Sequence, residues 1–105
     1  MQRDEVKWLE PWYGIGPGLE VELQREVGPG HLLFGVRATA VARRSDCDDV
    51  LFALLGFQQP LAVVHLTWST SSPEANPAFP ATTLYPSLEA WIELCMKPAN
   101  KEVTT

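Results

Sequence analysis

The chain predicts an α+β domain built on a three-stranded antiparallel β-meander, with one helix before it and one after it. Three observations carry that expectation. The run from 50 to 57, Val-Leu-Phe-Ala-Leu-Leu-Gly-Phe, is apolar at odd and even positions alike, so as a strand it needs cover on both faces. It therefore belongs at the centre of the sheet. Residues 36–44 alternate small apolar side chains (Val36, Ala38, Ala40, Ala42) with a mixed set (Arg37, Thr39, Val41, Arg43), the period of a strand with one buried face. Leu88, Trp91, Ile92, Cys95 and Met96 recur at helical spacing between Ser87 and Pro98. The predicted strands are about 36–44, 49–56 and 61–69, and the predicted helices about 18–27 and 87–97.

Taken in order, residues 1–7 read as a charged tail. Trp8, Trp12 and Tyr13 follow within six residues, and Gly14, Gly16, Pro17 and Gly18 then break regular structure, which suggests an aromatic arm docked on a core. Residues 19–27 fit two patterns. Leu19, Val21, Leu23 and Val27 alternate with polar residues as in a strand, while Leu19, Leu23 and Val27 form a narrow helical stripe. The Leu, Glu, Gln and Arg content favours helix, and Gly28-Pro29-Gly30 is a strong helix stop. The third strand sets Ala62, Val64, Leu66 and Trp68 on one face, with Val63, His65 and Thr67 on the other. Residues 70–86 are a long connection with Pro73, Pro77, Pro80 and Pro86, of a length that often carries function. Ser87 then caps the last helix, Pro98 stops it, and 99–105 read as a polar tail.

Length and composition bound the function classes. The 105 residues suit one domain, 1–105, which buries roughly 65% of its unfolded surface without help from metals or disulfides. A net charge of −5 disfavours nucleic acid and anionic membrane as partners. No stretch reaches the roughly 20 apolar residues of a bilayer span, and residues 1–7 lack the apolar core of a secretory leader. Cys47 and Cys95 stand alone, which suits a reducing cytoplasm.

Catalytic signatures are missing. Asp46, Asp48 and Asp49 lack the glycine and distal glutamate of a calcium loop and read as solvated turn acids. Cys47 sits among carboxylates, which disfavour a thiolate, and Cys95 falls on the apolar helix stripe. His31 and His65 lie in no metal-binding spacing; a catalytic or metal role for either needs partners supplied by the fold, and a structural or surface role is favoured. The glycines at 14, 16 and 18 are no phosphate loop. No catalytic residue, cofactor or metal is therefore expected.

Four segments, 8–13 (WLEPWY), 30–35 (GHLLFG), 42–52 (ARRSDCDDVLF) and 62–68 (AVVHLTW), together resemble a group of small bacterial proteins without established activity. Some of these are products of mobile integron gene cassettes. The likeness runs to Pro98 and transfers no functional residue. It implies a bacterial cytoplasmic setting and an accessory gene.

Three functions compete. The leading expectation is a small non-catalytic binding or interaction protein, immunity- or antitoxin-like by analogy. A small-molecule binding domain would use an aromatic pocket of Trp12, Tyr13, Trp68 and Phe79. An enzyme using His65 and His31 is the third and least favoured. Layer counting adds one further expectation. If both helices cover one side of the meander, the other side keeps an apolar centre with a polar rim, the anatomy of an interface. Its residues would be Arg37, Thr39, Val41, Arg43, Val63, His65 and Thr67, and its expected occupant a second copy of the chain in a homodimer, or failing that the Trp8–Tyr13 arm.

Overall fold

The computed structural model describes residues 6–68 and 78–104. The α+β class is as expected, but the sheet has five strands rather than three, in the order β1-β2-β3-β4-β5 and antiparallel throughout. They are β1 (Trp12–Gly14), β2 (Arg37–Arg44), β3 (Asp49–Leu55), β4 (Leu61–His65) and β5 (Thr82–Tyr85). The expected meander is its centre, and β3 lies in the middle as its two apolar faces require. The third strand ends at His65, short of the expected boundary, and residue 69 lies outside the described residues. The additions are edges: β1 comes from the aromatic arm, and β5 from the connection that was expected to be without strands. Residues 70–77 of that connection lie outside the described residues as well.

Helix α1 (Glu20–Glu26) takes the place of the predicted helix at 18–27, so the helical stripe prevails over the alternation. It ends where Val27 turns extended ahead of Gly28-Pro29-Gly30. Two turns of helix are too short to stand alone in water, so packing holds α1. Leu23 and Val27 are buried with Leu33, Ala40, Val50, Phe52, Ala62, Val64 and Leu66 on one face of the sheet. Glu20 secures the entry by accepting the N–H of Gly18 at 2.6 Å and that of Ala40 at 2.5 Å.

The other face is covered too, and that overturns the layer count. Helix α2 (Leu88–Trp91), capped by Ser87 accepting the Ala90 N–H at 3.0 Å, leads through a π-helical turn (Ile92–Met96) into α3 (Lys97–Thr104). Trp91, Met96 and Ala99 pack there with Trp12, Val41, Ala42, Leu51, Leu61 and Val63. The expected docking of Leu88, Trp91, Ile92 and Cys95 therefore holds, but on the opposite side of the sheet from α1. The Trp8–Trp12 arm completes the layer. Trp12 meets Trp91 edge to face with ring centroids 5.1 Å apart, and Trp8 meets it at 6.1 Å. Trp8 needs glycine at position 14, where a Cβ would come 2.5 Å from its Nε1.

Pro98 does not stop the helix, and 99–104 are not a tail. In the π-helical turn the Lys97 N–H reaches back five residues to the Ile92 carbonyl. The wider turn makes Pro98 the second residue of a fresh α segment, where a missing N–H costs nothing. Ala99 is then buried, and Asn100 Nδ2 donates to the Glu10 carbonyl at 2.8 Å.

A β-bulge at Val41 also breaks the expected alternation. Ala40 pairs with Phe52, but Ala42 pairs with Leu51, so one residue of β2 is extra. Ala42 thereby leaves the face of Ala40 and joins Trp12 and Trp91.

Candidate functional site

The carboxyl ends of β2, β4 and α1 and the start of β3 and β5 meet at one end of the sheet, and the informative side chains collect there. Two arrangements stand out.

The first is centred on Trp68. The α1 stripe turns Glu26 inward, and Glu26 is only 4% exposed. Its Oε1 accepts the Thr67 N–H at 2.8 Å and the Thr67 hydroxyl at 3.0 Å; its Oε2 accepts the Trp68 N–H at 2.8 Å. Burial and the neighbouring Glu22 carboxyl push Glu26 up, while those backbone donors pull it back. Glu22, bonded to Arg25, is held below the ordinary carboxylate range. Clamped in this way, Trp68 has φ of 56°, the left-handed region that bulky residues avoid, and its side chain is 45% exposed. His31 fixes the neighbouring segment. Its Nδ1 accepts the Leu33 N–H at 3.0 Å, which places the ring proton on Nε2, 2.9 Å from the Pro80 carbonyl. That bond ties His31 to the segment carrying exposed Phe79, which lies just before β5 at the end of the sheet where exposed Trp68 follows β4.

The second arrangement is a cluster of unlike side chains. Asp49 and His65 are register partners on β3 and β4, and Asp49 Oδ1 lies 2.7 Å from His65 Nδ1. Cys47, two residues upstream, completes a set whose thiol, carboxylate and imidazole atoms all lie within 4.8 Å of one another. The adjacent acids are engaged elsewhere: Arg44 grips Asp46 at 2.8 and 2.7 Å, and Arg43 Nη2 lies 3.7 Å from Asp48. Burial pushes the Cys47 thiol up, and the Asp49 carboxylate adds to the shift. Burial likewise raises Cys95 and, with the Cys95 thiol beside it, pushes the Tyr85 phenol up to about 12. Neither thiol is poised as a nucleophile.

The expected sites are distributed differently. Of the expected interface, Val41 and Val63 are buried under the arm and the C-terminal helix, so its apolar centre is covered within the chain. The bulge sets Arg43 opposite Val50, away from that face. Thr67 is held by Glu26, and His65 by Asp49; Arg37 and Thr39 remain exposed. Of the expected pocket, Trp12 is core on the α2–α3 face and Tyr13 lies exposed on the β1 edge. Trp68 is anchored to α1 on the other side of the sheet, so only Trp68 and Phe79 share a neighbourhood. His31 and His65 do not form one site either. His31 bonds Thr82 and Pro80 on the α1 side, whereas His65 continues the face of Val63.

Sequence reasoning did not single out Glu26, which looks like one more helix acid. The signal was its position on the Leu19, Leu23, Val27 side, two residues before the Gly28-Pro29-Gly30 stop. The Cys47, Asp49, His65 set depends on strand register, which spacing does not contain. Comparison with known proteins brings no match: no protein-family model, no curated protein and no solved structure is similar enough to lend this chain a family.

Proposed function

We propose that this chain is a small non-catalytic binding protein whose contact surface is the end of the sheet that displays Trp68. The observation that carries the reading is the pairing of strain with exposure at that residue. A tryptophan in the left-handed region costs roughly 1–2 kcal/mol per residue, and strain of this kind concentrates where a protein makes contacts. Here a buried carboxylate holds the strained backbone, yet the indole faces solvent. Phe79, exposed just ahead of β5, adds apolar area at the same end of the sheet. Such a patch on an acidic chain suits a partner protein with a basic face, through apolar contact and cation–π attraction. An accessory role of the immunity or antitoxin kind fits this reading by analogy.

The test is affinity capture from a bacterial lysate with two baits, the wild-type chain and Trp68→Gly, which accepts the left-handed backbone without an indole. The expected result is a protein retained by the wild type and lost from Trp68→Gly. Equal retention by both baits would move the contact surface elsewhere.

A further inference from the structure

We propose that Cys47, Asp49 and His65 form a binding site for one zinc ion. The inference is independent of the Trp68 surface and rests on donor chemistry and placement. A thiol, an imidazole and a carboxylate are the three protein ligands zinc takes, at about 2.3, 2.0–2.1 and 2.0–2.2 Å. Nitrogen and oxygen ligands at those lengths stand about 3.4 Å apart in a tetrahedron. Asp49 and His65 are now 2.7 Å apart and need to open slightly, and the sulfur already lies within 4.8 Å of both. Cys47 and Asp49 are partly buried and His65 is exposed, so rotamer changes supply the adjustment without shifting the sheet.

Charge and rigidity agree with the assignment. A thiolate and a carboxylate balance a divalent cation, so no net charge is left in the site. Asp46 and Asp48 are tied to Arg44 and Arg43, which leaves Asp49 as the acid of this turn aimed at the histidine. Two ligands stand on paired strands whose register is continuous from Asp49↔His65 to Ala53↔Leu61, so their spacing is set by the sheet. The third sits just ahead of β3, where Leu66 N–H donates to the Asp48 carbonyl at 3.1 Å and fixes the turn. Sulfur and nitrogen donors disfavour calcium and magnesium, which seek six or more oxygens. Three protein ligands leave a fourth position for water or for a ligand from outside.

Cobalt titration of the reduced full-length chain tests this, because thiolate–cobalt bonding has its own near-ultraviolet charge-transfer band. The expected result is a band that saturates at one cobalt per chain and is abolished by one equivalent of zinc. The band should vanish in Cys47→Ser and persist in Cys95→Ser. His65→Asn, at a half-exposed position that tolerates substitution, should weaken cobalt binding by about tenfold or more. Zinc should raise the wild-type unfolding temperature and leave that of His65→Asn unchanged. A wild-type chain with no charge-transfer band overturns the proposal. So does a band that survives Cys47→Ser or is lost in Cys95→Ser.

Discussion

Trp91→Ala should destabilise the chain by about 3–5 kcal/mol, the range for removing a buried tryptophan without full collapse of the cavity. For a domain of this size that is a large part of the roughly 5–15 kcal/mol total. Trp91 is fully buried and is where the arm and the C-terminal helix meet, through Trp12 at 5.1 Å and Trp8 at 6.1 Å. Its removal should loosen β1 as well as α2, so Trp8 fluorescence and helical dichroism should change together on urea unfolding. A denaturation midpoint equal to that of the wild type would show that Trp91 is not a core residue.

Glu26→Ala should cost roughly 2–5 kcal/mol. The carboxylate serves two backbone N–H groups, and each stranded donor is worth about 1–3 kcal/mol. The loss has a pH signature. Burial and Glu22 raise the proton affinity of Glu26 above the ordinary value of 4.5, so its contribution to stability is complete below that value. The part of that contribution linked to protonation is lost as pH rises through the raised value, while the hydrogen bonds accepted from Thr67 and Trp68 remain. The deficit of Glu26→Ala relative to wild type should therefore be larger in weak acid than at neutral pH. A deficit that instead grows toward neutrality would assign Glu26 a lowered affinity and the role of a permanent anion.

The central fold was legible because its signals are local and redundant. The two-sided apolar run of β3, the alternation of β2 and the stripe around Trp91 each match one period over six or more residues. What was missed follows from weaker or non-local physics. Strands of three and four residues, β1 and β5, carry too little pattern to be seen among prolines and glycines. The bulge at Val41 moves Ala42 and Arg43 to new faces without any mark in composition. The π-helical turn lets α3 run through Pro98, which reads as a stop in any α-helical frame. The decisive misreading was topological: α1 lies on one face and the α2–α3 segment on the other, so the face expected to dock a second copy is filled by Trp12, Trp91 and Met96. The Cys47, Asp49, His65 set became visible only once β3 and β4 were in register.

The account turns on Trp68 being displayed by Glu26 rather than packed. Trp68→Gly measures this directly in a urea unfolding experiment. Glycine relieves the left-handed strain, worth roughly 1–2 kcal/mol, and adds about 0.5–1 kcal/mol of chain entropy to the unfolded state. An unfolding free energy equal to or slightly above that of the wild type is the predicted result. A loss of about 3 kcal/mol or more, the cost of truncating a core tryptophan, would contradict it.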